Sequence, residues 1–209
     1  CLSRDGELYV RVRTSQLGTF VVVPGDVKIT LPFIDVTESN WFYDAVYYVY
    51  VNGLFNGTSA TTFEPNAPMS RAMLVTVLWR LEDEPAAVNP IAFQDVSDGL
   101  WYSNAVAWAS GAGTSATTFD PNSPVTREQI ATILYRYAKT KGWDISASGA
   151  LTDFTDGNEA SAFAVRALEW AYGEQFVVGL DGNRLSPRGN ATRAEVATIL
   201  MRILEHYGD

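Results

Sequence analysis

Apolar residues recur at the i, i+3, i+4, i+7 spacing in three places along the chain: Leu74, Val77, Leu78 and Leu81; Ile130, Ile133, Leu134 and Tyr137; Val196, Ile199, Leu200 and Ile203. That spacing lines one face of a helix, so three amphipathic helices are predicted. Each stripe starts three residues after an arginine: Arg71, Arg127 and Arg193. Start signals come just before. TREQ from Thr126 and TRAE from Thr192 have the form of capping boxes, in which the hydroxyl accepts from the N3 amide and the N3 side chain reaches back. Ser70 can cap the first of the three helices, but Met73 breaks the reciprocal half. Pro68 and Pro124 force extended backbone just upstream.

A polar loop leads into each of these helices. GTSATTFEPN runs from Gly57 to Asn66, GTSATTFDPN from Gly113 to Asn122, and a weaker copy, GLDGNRLSPRGN, from Gly179 to Asn190. The aromatic or leucine (Phe63, Phe119, Leu185), the proline (Pro65, Pro121, Pro187) and the arginine keep fixed offsets from the glycine. Another helix lies upstream: Phe33, Asp35, Trp41 and Ala45 match Phe93, Asp95, Trp101 and Ala105. The third copy keeps Phe154 and Asp156 and enters a helix near Phe163 to Ala171. Each unit is helix, loop, capped helix. Because such a pair cannot bury its apolar face alone, residues 33–209 are expected to form one mainly α domain with repeats 33–85, 91–142 and 151–207.

Residues 1–32 alternate with period two in ELYVRVRT and DVKITL, and TFVVV is a β-branched run closed by Pro24 and Gly25. Two or three strands are expected there, as the tail of a preceding β domain or a cap on the helical body. The chain begins at Cys1 without a methionine, and reads as a fragment of a longer protein.

The FIDV and FQDV openings at Phe33 and Phe93, Trp41 and Trp101, the G…F-x-P loops, and the Ser70-Arg71, Thr126-Arg127 and TRAE second signatures resemble the S-layer homology (SLH) family over about 85% of the chain. The resemblance implies a pseudo-threefold bundle with grooves between neighbouring repeats. It also implies non-covalent anchoring of a surface protein to a Gram-positive cell wall, through a secondary wall polysaccharide that often carries a pyruvate ketal. No catalysis and no cofactor are implied. The extracellular wall or surface layer is the expected location.

The residues add a physical reason. A cation at the first helical position opposes the helix macrodipole, and three repetitions of that conflict point to a gain elsewhere. The same place offers backbone amides suited to an anion, and an arginine fork beside them would grip a carboxylate. The alternative is that each arginine pairs with Asp35, Asp95 or Asp156 to brace the fold. Trp41 and Trp101 are either sugar-stacking walls, which the resemblance favours, or core aromatics. Trp79, Trp108, Trp143 and Trp170 are assigned to packing. Gly57, Thr58, Gly113 and Thr114 are read as ligand-contacting loop residues, with recent duplication the rival account of the identical spelling. Ser70, Thr126 and Thr192 complete the candidate binding set. Two departures limit it. The third copy has Ser161 or Ala162 where tryptophan belongs, so two competent grooves are expected. The second copy is four residues short between Trp101 and Gly113, which a helix shortened by one turn would absorb.

A net charge of −9 excludes a nucleic-acid face, and no apolar run is long enough to cross a membrane. A single cysteine and His206 as the sole histidine leave no disulfide framework and no expected metal site. The stretch from Asp153 to Glu159 lacks the spacing of a calcium loop. Two other classes compete with the anchor. A lattice module would self-associate to build a surface layer. A glycan hydrolase would need two facing carboxylates, whereas Asp35, Asp95 and Asp156 are separated by repetition.

Overall fold

The computed structural model describes residues 2–4, 7–9, 30–110 and 117–208. A short antiparallel pair, β1 (Leu2–Arg4) and β2 (Glu7–Tyr9), sets Leu2 opposite Tyr9. The expected strand at TFVVV lies outside the described residues. So does most of DVKITL, whose last two residues, Thr30 and Leu31, are irregular. Six α-helices follow among the described residues: α1 (Tyr43–Val51), α2 (Arg71–Leu81), α3 (Ser103–Ser110), α4 (Arg127–Lys141), α5 (Val165–Gly173) and α6 (Arg193–Tyr207). The fold is mainly α, in three helix-loop-helix repeats.

The capped helices begin where the sequence signals them. Thr126 accepts from Gln129 N–H, and Gln129 Oε1 accepts in return from Thr126 N–H at 3.0 Å. Thr192 and Glu195 repeat the arrangement at α6. At α2, Ser70 accepts from Met73 N–H at 3.3 Å, with no return bond because a thioether replaces the carboxylate. The stripe residues Leu74, Val77, Leu78, Ile130, Leu134, Val196, Ile199, Leu200 and Ile203 are all buried. Of the tryptophans assigned to packing, Trp170 is fully buried and Trp143 stacks on Tyr207 with ring centroids 4.6 Å apart.

The two helices of one repeat do not pair mainly with each other. The second helix of each repeat packs on the first helix of the next: α2 on α3, α4 on α5, and α6 back on α1. At the hub the extended segments before the capped helices close a triangle of backbone hydrogen bonds. Met69 N–H donates to Ala191 O (2.8 Å), Ala191 N–H to Val125 O (3.0 Å) and Val125 N–H to Met69 O (2.9 Å). All three residues are buried, so these amides are satisfied only by one another's carbonyls. This triangle is the pseudo-threefold axis and joins the three copies, while Phe93, Tyr102, Val106 and Phe119 of the second repeat form a smaller buried cluster with Ala72. Leu31, Val46, Leu74, Ile130, Leu168 and Leu200, drawn from every repeat, belong to a single buried cluster.

α3 spans eight residues against nine in α1. The second repeat therefore does not lose a helical turn. Residues 111–116, where the rest of the shortening falls in sequence, lie outside the described residues.

Candidate functional site

Each loop copy is held from both sides of one peptide unit. Asp35 accepts from Phe63 N–H (2.9 Å) and Glu64 N–H (2.7 Å). Asp95 does the same for Phe119 and Asp120 (2.8 and 2.7 Å), and Asp156 for Leu185 and Ser186 (2.6 and 2.9 Å). The second residue of each pair has positive φ: 56° at Glu64, 56° at Asp120 and 50° at Ser186. That backbone is unfavourable for a non-glycine residue, and the carboxylate holds it.

The arginine of the preceding repeat takes the other side. Arg193 Nε donates to Phe63 O (2.8 Å), Arg71 Nε to Phe119 O (2.7 Å) and Arg127 Nε to Leu185 O (2.8 Å). The guanidinium of Arg193 lies 4.5 Å from the Phe63 ring centroid, and that of Arg71 4.9 Å from Phe119. Aspartate and arginine thus meet through a loop residue, so the bracing role runs between repeats and uses no direct ion pair with the aspartate.

The helix amides are committed as well. Arg71 and Ala72 N–H donate to Ser123 O and Pro121 O, Arg127 and Glu128 to Gly189 O and Pro187 O, Arg193 and Ala194 to Ala67 O and Pro65 O, all at 2.9–3.0 Å. The free anion-binding amides expected at these helix starts are absent, because the neighbouring loop already supplies the acceptors. Any anion must be met by side chains.

Two clefts bring together one residue set from each of the three repeats. The first, about 380 Å³, is lined by Asn56, Gly57 and Thr58 of the first loop, Thr76 and Arg80 of α2, Trp101 of the second repeat and Arg193 of the third. The second, about 600 Å³, is lined by Gly179 and Asp181 of the third loop, Thr198 and Arg202 of α6, Trp41 of the first repeat and Arg127 of the second. Both volumes suit a small-molecule site. Trp41 is 68% exposed and Trp101 59%, so neither indole is a core aromatic. Arg127 and Arg193 are each only 5% exposed and form cleft floors, whereas Arg71 is half-buried.

Two further rings of residues went unread in the sequence. Arg80, Arg136 and Arg202 stand nine residues after the repeated arginines, and Thr76, Thr132 and Thr198 five after. Arg80 Nη1 donates to Leu54 O (3.1 Å) and Arg202 Nη1 to Phe176 O (3.3 Å), which holds each at a cleft edge. The fixed offset was the available signal.

The third repeat does carry an aromatic at the tryptophan position. Trp41, Trp101 and Phe163 each precede their helix by two residues and a buried partner (Phe42, Tyr102, Ala164), and Phe163 is 58% exposed. Neither Ser161 nor Ala162 occupies it, since the third copy has one more residue between Phe154 and this point. Ser161 instead donates through N–H and Oγ to Glu128 (2.9 and 2.8 Å). Gly113 and Thr114 lie outside the described residues.

In the first loop copy the serine and threonines have a local structural role. Ser59 Oγ accepts from Thr61 and Thr62 N–H (3.2 and 3.1 Å) and bonds Thr62 Oγ1 at 2.6 Å. Thr58 N–H donates to Thr62 O at 2.9 Å, which leaves Thr58 at the cleft rim.

Charge follows the hydrogen bonds. The bond from Phe119 N–H lowers the Asp95 pKa against the opposing effect of burial, helped by Asp120 N–H and the Arg71 charge. At Asp156 burial acts upward, and the Leu185 and Ser186 N–H bonds outweigh it to leave a lowered value. A carboxylate whose folded pKa is depressed stabilises above its unfolded value, near 3.8 here, and loses that contribution as pH falls through the folded value. Wild type should therefore lose urea resistance below about pH 4. Asp95→Asn should be less stable at pH 7 and show a flatter acid limb; an unchanged limb would assign the acid sensitivity elsewhere.

Among the described residues no group of three His, Cys, Asp or Glu could hold a metal ion, and no helix is long and apolar enough to cross a membrane.

The sequence is similar to several known proteins. The chain is 28% identical over 181 residues to an endoglucanase of Bacillus sp. (strain KSM-635), covering 84% of this chain and 19% of that protein. It is 32% identical to an amylopullulanase of Thermoanaerobacterium thermosulfurigenes (85% and 10%) and 30% identical to the surface-layer 125 kDa protein of Lysinibacillus sphaericus (80% and 14%). The chain thus spans a fifth or less of the length of these relatives. The S-layer homology domain model matches residues 32–72, 92–131 and 153–197, one stretch in each repeat and together more than half of the sequence. The chain belongs to the S-layer homology domain family.

Proposed function

We propose that this chain is a non-catalytic anchor that holds a surface protein to the cell wall of a Gram-positive bacterium by gripping an anionic, pyruvate-bearing wall polysaccharide in its inter-repeat clefts. One observation carries the reading: each cleft joins an exposed tryptophan from one repeat, a floor arginine from another and a loop from the third. Each indole meets its buried neighbour edge-to-face (Trp41–Phe42 5.3 Å, Trp101–Tyr102 5.0 Å) yet keeps most of its surface in solvent, which suits the apolar face of a sugar ring. The arginines and cleft-edge cations suit a carboxylate. The family match and relatives that pair the same segment with glycan-acting names or a surface-layer name support a cell-surface role. Asp35, Asp95 and Asp156 each spend both carboxylate oxygens on loop amides, which argues against a hydrolytic pair.

Co-sedimentation with purified walls tests this. Binding is expected to disappear when the polysaccharide is chemically stripped, and Trp101→Ala should weaken it about tenfold, or ~1.4 kcal/mol, without lowering the melting temperature. Equal binding to stripped walls would overturn the reading. The surface-layer relative keeps a second reading in view, a lattice module. It predicts concentration-dependent association of the protein alone in the ultracentrifuge, which a glycan anchor does not require.

A further inference from the structure

The floor arginines of the two clefts differ in what faces them. Arg127 Nη1 donates to Glu195 Oε1 at 2.7 Å, and this carboxylate is the N3 residue of α6, the helix walling that cleft. In the other cleft the same place, N3 of α2, holds Met73. Arg193 Nη1 lies 3.7 Å from the Met73 sulfur, a weak acceptor, while Nη2 donates to Asn56 O at 2.8 Å. Among the described residues no carboxylate lies within 4.0 Å of Arg193. Among the described residues the Trp101 cleft has no acidic side chain in its lining, whereas the Trp41 cleft contains both Glu195 and Asp181.

We propose that the N3 residue of the walling helix decides which cleft accepts a carboxylate: Met73 leaves Arg193 available to the ligand's anionic group, while Glu195 already occupies Arg127. The inference rests on the anion-binding reading above and adds the location. A buried cation facing a thioether gains from an incoming carboxylate, since the desolvation cost is already present in the empty cleft. Burial draws the Arg193 pKa down to about 10, and the charges of Glu64 and Asp35 offset this only in part. Arg127 is also lowered by burial, but its compensation comes first from Glu195. The Trp41 cleft, wider and with its floor arginine already paired to Glu195, is left for uncharged stretches of the same glycan, with Arg184 and Arg202 at its edge.

The test is a binding titration of the purified protein with the methyl glycoside of an N-acetylhexosamine carrying a pyruvate ketal, set against its carboxylate methyl ester. Wild type is expected to prefer the acid about tenfold or more, as one charge-assisted contact warrants. Met73→Glu should abolish that preference. The substitution also completes the capping box that Ser70 begins, so circular dichroism should show the helices intact. Adding Glu195→Gln, which keeps a capping residue of the kind Gln129 provides in α4, should restore the preference through Arg127. A preference that survives Met73→Glu, or one that Glu195→Gln fails to restore, overturns the assignment. If wild type binds neither form, the anion-binding reading itself fails, and the two results are distinguishable.

Discussion

Replacing Arg193 by alanine is expected to destabilise the protein by about 3 kcal/mol, the larger of two large effects. Two charged hydrogen bonds vanish, leaving Phe63 O and Asn56 O without their donor, and the cation leaves the faces of Phe55 and Phe63. These contacts join residues 130 and 137 positions apart and close the ring from the third repeat back to the first. Relief of arginine desolvation offsets part of the loss. For a chain of this size the melting temperature should fall by roughly 6–12 °C. A variant melting with wild type would show that the triangle at Met69, Val125 and Ala191 closes the ring without the arginine. One consequence bears on experimental design. Alanine scanning of Arg71, Arg127 and Arg193 mixes lost binding with lost bracing, so Trp101→Ala and Met73→Glu are cleaner probes of the cleft.

Gly57→Ala should cost about 2–3 kcal/mol, the overpacking range. A Cβ there would sit 2.4 Å from Ser59 O, 2.6 Å from Thr62 O and 2.6 Å from the Phe33 ring. Two of those atoms are backbone inside the hydroxyl-linked loop, so the whole turn must shift. Gly53→Ala is the control: φ is +70° but the space is open, which limits the cost to about 1–2 kcal/mol of left-handed backbone strain. Thermal melting of both variants is the measurement; Gly57 is not among the positive-φ glycines, so its loss comes from contact alone, and a loss no larger than that of Gly53→Ala would show that the turn yields to the extra carbon. Gly179 faces Phe154 in the same way, with a Cβ contact of 2.7 Å. Gly57 and Gly179 are therefore packing residues for the opening phenylalanines, besides lining the clefts.

Local order was readable from residue spacing. Helical stripes, both capping boxes and the missing half-box at Met73 rest on residues within a turn or two of one another, and the threefold phase on their recurrence at fixed offsets. Features set by chain-distant partners were not. Nothing local tells Arg193 that its acceptor is Phe63, or that the amides of Arg193 and Ala194 meet Ala67 O and Pro65 O. A lone helix start reads as an anion site; in the assembled ring the next loop is already there. Phe163 was hidden by a single extra residue before it, in a segment that forms a 3-10 turn at Gly157–Glu159, so counting from Phe154 ends at Ala162. The second arginine ring at Arg80, Arg136 and Arg202 was present as a fixed offset, but arginine in the later turns of a helix is common enough to pass for an ordinary surface residue.

The most direct test is heteronuclear NMR of the tryptophan indole N–H groups while wall polysaccharide is titrated in. Binding in the inter-repeat clefts predicts that the Trp41 and Trp101 signals move with saturation, while that of the fully buried Trp170 stays in place. Saturable binding that leaves the Trp41 and Trp101 signals unmoved would contradict it.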